Sequence, residues 1–590
     1  MRNLTVWPLV LAACLGLDDS RAWATAIRIE SLAPCETWSA DAPMEWCLQV
    51  KGMPEPTPTV VINGADVTSE RVTRFGRVLR LRPDDLARSS GPMWLRANGG
   101  TSNAVWLSRQ RAQVVASHLG RRVRIADRVL TTVDLVSLVF LEDAQGLVEA
   151  KRIASAHGLE IVGAIAPLNV YQFRLGTRRL EQRNSLLRLL EEDAAVAGVL
   201  VEDDNQGALP DRDRVIEPAD LQGWVANNFQ PAIDLYRGHT RSLRTHRILV
   251  GVIEKAVDFD VPELSGYARS CERPATCVYA LDQPAENAHG SIVSGVLVAA
   301  AGQHGSLGFL SRLEGAGDGF AIIVDRGAPS GVIARVAASV NLVEDGVRVL
   351  NWSWGIHRLG ATNLYGEPVA ANVRSDQAFE GYGKLLERYF AWLKLNHPDV
   401  VVVSSAGNGS STTGDHLPTS LLSDQLLVVG GHQRSGLDVA IGDGRFVVPR
   451  HSSNRGRRVD ITAAACLRPA TIEWMGVDQG TGCGTSYATA LVTGTVAAML
   501  SINPDLTPGQ VRAMLRQSAW PLAGKRGDVD LTAALAVDER AGNTAPGIGQ
   551  YARLNMQRAL ALAIKSRATP SVAVEGPAAP PNPEDGLGAR

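Results

Sequence analysis

Apolar and polar positions fall into three successive patterns along the chain. From about 27 to 112, short β-type runs are broken by turn residues: TVVING (59–64), RVLRLRP (77–83), PMWLRANGG (92–100) and NAVWLS (103–108). Runs of that length and spacing predict a small antiparallel sandwich. Between about 130 and 204 the order becomes strand, helix, strand, strand, helix, strand, read from VDLVSLVFL, EDAQGLVEAKRIASAHG, LEIVGAIAP, LNVYQFRLG, RRLEQRNSLLRLLEED and VAGVLVED. From about 215 to 565, apolar strands such as RILVGVI, FAIIV, VRVLNWSW, DVVVVSSAGN and QLLVVGG alternate with helices such as HGSIVSGVLVAAA. That alternation predicts an α/β fold, a parallel sheet with helices on both faces.

The middle pattern has the order of a ferredoxin-like α+β unit. In parallel α/β sheets, ligands bind beyond the carboxyl ends of the strands. This draws attention to ILVGVIE (248–254), an apolar strand that delivers a carboxylate, Glu254, at its exit.

Composition excludes more than it identifies. The formal net charge is -2, with no basic surplus, so neither nucleic acid nor an anionic membrane surface is an expected partner. Residues 1–26 carry Arg2, an apolar stretch from Val6 to Leu17 and small residues at Ala22 and Ala24, which reads as an export signal. The stretch is short for a membrane span. Leu11-Ala12-Ala13-Cys14 offers a second reading, a lipid anchor on Cys14 at the cell envelope. With Cys14 removed, six cysteines remain in three neighbouring couples: Cys35 with Cys47, Cys271 with Cys277, and Cys466 with Cys483. An even number fits a disulfide-forming, secreted or periplasmic compartment, although six cysteines permit several connectivities and the pairing is read from proximity. The tail, 566–590, is rich in Pro, Ala and Gly and is expected to be disordered.

Three further polar residues stand at element ends in the third pattern: His289 opens a small-residue helix, Asn408 follows the strand DVVVV, and Ser486 follows a glycine-rich approach to another helix. Each alone has a structural explanation. Together they form a chemical set. A serine hydroxyl needs a base to take its proton, an imidazole base needs a carboxylate to fix its tautomer, and a tetrahedral oxyanion needs donors. Ser486, His289, Glu254 and Asn408 supply these groups in turn.

The chain order acid, histidine, serine is that of subtilisin. VGVIEKAVDFDVPEL resembles the strand and loop around the catalytic acid of the subtilases, HGSIVSGVLVA their histidine helix, and GTSYATALVTG their nucleophile motif. VLNWSWG is similar to the segment lining the substrate cleft, SSAGNG to the oxyanion segment, and SNRGRRVDITAAA and ARLNMQRAL to later segments, so the resemblance runs from about 245 to 563. It implies a subtilisin-like serine endopeptidase acting on protein or peptide substrates through an acyl-enzyme. Glu254, His289 and Ser486 would be catalytic, Asn408 would serve the oxyanion, and Ser353, Trp354 and Gly355 would bind substrate. No cofactor is required. Subtilases often carry structural calcium, but no D-x-[DN]-x-[DN]-G loop is present. The resemblance also makes the 130–204 unit a prosegment, an intramolecular inhibitor released by cleavage between about 204 and 215, and thus the chain a zymogen. The GGTSNAVWLS ending of the first unit looks like an immunoglobulin-like module.

Three positions depart from the family pattern. Glu254 stands where the family has Asp, and is followed by Lys255-Ala256 in place of Thr/Ser-Gly. Its extra methylene, about 1.5 Å, must be absorbed by the backbone or the rotamer. Asp258 and Asp260 are nearby substitutes on the loop. Ala490 replaces a proline that affects helix geometry only. Trp354 places a bulky ring either at the cleft or in the core. The acid position also supports an alternative, a catalytically impaired fold kept for binding or as a scaffold, which the intact Ser486, His289 and Asn408 weigh against. The remaining nucleophile and nucleotide motifs, G-x-S-x-G, the P-loop and G-x-G-x-x-G, do not fit.

Overall fold

The computed structural model describes residues 27–568 except 37, 40–44, 68, 83–89, 98–99, 116–119, 206–222, 241–244, 255, 269–274, 284–288, 301–307, 314–318, 326–330, 370–371, 467–482 and 524–549. The expected signal segment, the expected cleavage region beyond Asn205, Cys271 and the tail after Ala568 therefore lie outside the described residues; 566–568 complete the last helix, Met556–Ala568.

The N-terminal pattern folds into two antiparallel sheets. One orders the strands Arg28–Pro34, Trp46–Lys51, Val78–Leu81 and Val72–Phe75; the other orders Ala65–Asp66, Thr59–Ile62, Gly91–Ala97 and Gly100–Thr101, with Val105–Leu107 also pairing with Gly91–Ala97. Buried positions alternate along Gly91–Ala97, as the pleat requires of a sheet with one face in the core. The tight turn between Thr59–Ile62 and Ala65–Asp66 puts Asn63 at φ 51° and Gly64 at φ 78°, the left-handed conformations that asparagine and glycine tolerate best. A Cys35–Cys47 disulfide joins the first two strands.

A small sheet of Arg122–Ala126, Val129–Thr132 and Asp203–Asn205 follows, which the apolar pattern did not reveal because charged and half-exposed residues run through two of its three strands. The next unit has strands ordered Glu160–Ile165, Val170–Arg174, Leu135–Phe140, Val196–Leu200, all antiparallel, with helices Gly146–His157 and Leu180–Glu191. That is the ferredoxin-like topology. All six residues of Leu135–Phe140 are buried, so both faces of the sheet are covered. Its own helices supply one cover. The other is the third unit: Phe140, Tyr171 and Leu200 share one apolar core with Tyr382, Leu386 and Tyr389 of the helix Asp376–Asn396.

The third unit is built on a ten-stranded sheet. Its strands run Cys277–Tyr279, Phe320–Asp325, Ile248–Ile253, Val349–Trp352, Val401–Ser405, Leu426–Arg434 and Ile461–Ala464 in parallel, continued by Gln550–Arg553 and the antiparallel Trp520–Ala523, with Val447–Pro449 pairing antiparallel to Leu426–Arg434. After Ile248–Ile253 the chain moves two places to one side, and after Phe320–Asp325 it crosses to the other. The strand order thus reverses beside Ile248–Ile253, which makes its carboxyl end the predicted place for a ligand crevice. The helix Thr485–Ile502 is long and apolar enough to cross a membrane, but it is buried throughout and serves as the core helix of this unit.

Candidate active site

The strand Ile248–Ile253 is buried in the sheet and releases Glu254 at the reversal point. The Glu254 backbone N–H donates to the Asp325 carbonyl at 2.9 Å, holding the residue in line with its neighbour strand. Its carboxylate meets His289: Oε1 lies 2.9 Å from Nδ1, with side-chain exposures of 7% for Glu254 and 36% for His289. His289 begins the helix His289–Val298, which packs against the helix Thr485–Ile502. Its ring lies 5.9 Å from that of Tyr487, the residue after Ser486.

Electrostatics favour the imidazolium here. Burial alone would disfavour the cation, but the charge and the hydrogen bond of Glu254 outweigh it and raise the His289 pKa above the ordinary histidine value, against an opposing contribution from Arg335. Arg335 belongs to the helix Gly331–Glu344 and lies 5.2 Å from the centre of the Trp354 ring. Burial pulls its pKa down to about 10, and Glu254 acts in the opposite direction.

Ser486 is the second residue of its helix and is 7% exposed. Its hydroxyl is 3.4 Å from the Ser353 carbonyl, and its own carbonyl accepts from Ser353 Oγ at 3.0 Å. Ser353 Oγ in turn accepts from Asn351 Nδ2 at 2.8 Å, and Asn351 Oδ1 accepts from Thr493 Oγ1 at 2.9 Å. A buried polar string therefore fixes the backbone at Ser486. Asn351 interrupts an apolar strand, a signal that sequence reading passed over.

Asn408 is exposed, yet its Oδ1 is anchored by the backbone N–H and hydroxyl of Thr485, both at 3.0 Å. Its amide nitrogen lies by Gly484, where an added Cβ would sit 3.6 Å from it. The segment carrying Asn408 has its own support. Asn454 Oδ1 accepts from the N–H groups of Gly409 (2.9 Å) and Ser411 (3.0 Å), while Nδ2 lies 3.0 Å from His357 Nε2. His416, packed 4.6 Å from His357 between centroids, fills the space behind Gly355 and Gly407. Burial, with His357 adding to it, holds His416 well below the usual histidine range, so it is a neutral packing group.

Of the remaining sequence candidates, Ser353 sits beside Ser486, and Gly355 follows two residues on, backed by His416. Trp354 is turned into the core: it is 7% exposed, and its ring lies 5.0 Å from that of Trp352. The substitute acids have other partners. Asp258 accepts from the Asp260 N–H at 2.9 Å, and Asp260 pairs with Arg28. The Cys466–Cys483 disulfide closes the stretch just before Gly484 and Ser486.

The subtilase family, peptidase S8, matches residues 245–546, and the chain belongs to that family. It is thus a serine peptidase by family, a hydrolase. Solved structures of similar fold include the epidermin leader peptide processing serine protease of Staphylococcus aureus, at 17% identity over 73% of this chain and 98% of that one, TM-score 0.45. Fervidolysin from Fervidobacterium pennivorans, a keratinolytic enzyme related to subtilisin, is 17% identical over 77% of this chain and 65% of that one, TM-score 0.44. A search of curated proteins returned no match.

Proposed function

We propose that the chain is an exported subtilisin-like serine endopeptidase, made as a zymogen, that cleaves peptide bonds through an acyl-enzyme on Ser486. His289 acts as base toward Ser486 and then as acid toward the leaving amine, and Glu254 holds the Nδ1 proton and stabilises the imidazolium. The Asn408 amide and the Ser486 backbone N–H, in the first turn of a helix, would receive the oxyanion. Ser353 and Gly355 line the approach of the substrate. The observation that carries this reading is the 2.9 Å contact of Glu254 with His289, which supports a glutamate serving where the resemblance places an aspartate. The same contact argues against an impaired scaffold, since a carboxylate placed on the imidazole nitrogen has this catalytic use.

The ferredoxin-like unit fits a prosegment by its place upstream and by its apolar docking on the helix Asp376–Asn396. Export, with Cys14 as an alternative lipid anchor, is supported by the N-terminal sequence and by the disulfides. The test compares the full-length parent with Ser486→Ala for labelling by a fluorophosphonate and for loss of the upstream unit. Labelling and processing of the parent, both absent in Ser486→Ala, are expected; a parent that does neither overturns the peptidase reading.

A further inference from the structure

The residues that follow Glu254 do not belong to the peptidase unit alone. Ala256, two positions after the candidate acid, is 6% exposed and packs with Leu281 in the core of the N-terminal sandwich, beside Ile29 and Leu107. Arg28, on the first strand of the sandwich, makes ion pairs of 2.5 Å to both Asp260 and Asp282. Its side chain is 12% exposed and that of Asp282 6%, so the second pair is largely withdrawn from water and screened little by salt. Next to it Asn103, 2% exposed, exchanges bonds with the Ile29 backbone (2.8 and 3.2 Å) and donates to the Ala280 carbonyl at 3.0 Å. The Ala280 N–H donates to the Ala104 carbonyl at 2.9 Å. The sandwich thereby covers the end of Cys277–Tyr279, the edge strand of the large sheet, which would otherwise present unpaired backbone groups.

The other side of the same loop is tied to the histidine helix. The Asp258 N–H donates to Ser291 Oγ at 2.8 Å, two residues beyond His289, and the Phe259 N–H donates to Asp282 Oδ1 at 3.3 Å. Residues 256–260 are thus gripped between the sandwich and the His289 helix, with Glu254 at their entrance. Three carboxylates gather here, Asp258, Asp260 and Asp282. Burial raises the Asp258 and Asp282 pKa values; at Asp258 the hydrogen bond from the Asp260 N–H opposes the shift more than the Asp260 charge adds to it, and at Asp282 Arg28 opposes it.

We propose that the N-terminal sandwich is a working part of the active site, with Arg28 a positioning residue that acts through Asp260 and Asp282 to hold the loop carrying Glu254 against His289. This rests on the catalytic reading of Glu254, His289 and Ser486 above. It also gives a physical account of the altered acid motif, because Ala256 faces the apolar core of a unit that must dock there. Cleavage after the ferredoxin-like unit leaves that unit joined to the sandwich, so release of the inhibitor with the sandwich retained needs a second cut between 112 and 130, after which the contacts of Arg28, Asn103 and Ala256 would keep the sandwich bound.

Full-length parent, Arg28→Ala, Arg28→Lys and Ser486→Ala are compared for fluorophosphonate labelling, for kcat and KM on casein across pH, and for co-elution of the sandwich fragment after processing. Arg28→Ala is expected to lower kcat about 10²-fold, the scale of a 1 Å misplacement, with KM little changed. The acid limb should move to lower pH, because His289, which also faces Arg335, loses part of the support of Glu254. Arg28→Lys should restore part of both, and the sandwich should co-elute with the Ser486 fragment. Unaltered kcat and acid limb in Arg28→Ala overturn the proposal, even if its melting temperature falls. So does a sandwich that leaves while turnover persists. Should Arg28→Ala not fold, Asp260→Asn at the exposed end of the clamp is read in the same way. A parent that fails to label removes the peptidase reading itself, a result distinct from any difference between the parent and Arg28→Ala.

Discussion

Glutamate reaches about 1.5 Å further than aspartate, and in this fold the extra methylene ends in a hydrogen bond to His289 Nδ1 at 2.9 Å. Replacing Glu254 with Gln keeps the shape but removes the charge that stabilises the imidazolium, so Glu254→Gln should lower kcat about 10⁴-fold, the loss seen for an equivalent acid-to-amide change in a triad. Steady-state kinetics on a peptide substrate measure it, and an unchanged kcat would move the role to another acid. The pH profile carries a second signature. Under the proposed mechanism His289 must be neutral to accept the Ser486 proton, and its pKa lies above the ordinary histidine value, so kcat/KM should fall as pH drops through that raised value. In Glu254→Gln, burial and Arg335 act unopposed and the acid limb should shift downward. For folding, the sign is opposite: the Glu254–His289 pair stabilises fully below the unfolded histidine pKa and loses its contribution as pH rises through the raised folded value. The identity of these residues was legible from sequence because each stands at the end of an apolar element. Arg335 was not legible, because a single arginine in the helix SGVIARVAASV carries no sign of which carboxylate it will face.

At the scale of elements, the approach to Ser486 depends on covalent closure. The Cys466–Cys483 bond spans 17 residues immediately before the nucleophile helix, and its cysteines are 1% and 9% exposed. Closing a loop of that size stabilises the native state by about 3 kcal/mol through the unfolded chain. Cys466→Ser with Cys483→Ser should therefore lower the free energy of unfolding by that amount, read as a fall in the urea midpoint of the Ser486→Ala protein, which cannot digest itself under the proposed mechanism. A midpoint equal to that of the parent disulfide form would show that the bond does not constrain this segment. Proximity in sequence was enough to suggest this couple and Cys35–Cys47. The small sheet that ends in Asp203–Asn205 was not foreseen, since its strands lack the apolar alternation that marks a half-buried strand.

For the whole molecule, the contact between the ferredoxin-like unit and the peptidase turns on a buried acid. Glu202, 3% exposed, accepts from the Tyr382 hydroxyl at 2.7 Å and from the Ile333 N–H at 3.2 Å. Burial pushes its pKa up to about 7, more than those two bonds lower it. A carboxyl with a raised native pKa holds its proton better when docked than when released, so docking is strongest below the usual carboxylate range and weakens as pH rises toward about 7. The difference amounts to about 3 kcal/mol. The Ser486→Ala protein should hold its upstream unit more firmly at pH 5 than at pH 8, read by proteolytic release of that unit, and Glu202→Gln should flatten the difference; equal release at both pH values would exclude Glu202 as its source. By itself the sequence determined the order of the apolar patterns, the central strands of the parallel sheet though not its edge strand Cys277–Tyr279, and the candidate triad, because apolar periodicity and catalytic chemistry act through local spacing. Only the tertiary structure decided that Glu254 reaches His289, that Trp354 packs inward, and that Arg28 pairs with Asp260 and Asp282 beside the loop that follows Glu254. Those outcomes join residues as far as 254 positions apart, and such long-range contacts arise from how packed elements meet, which no local pattern encodes.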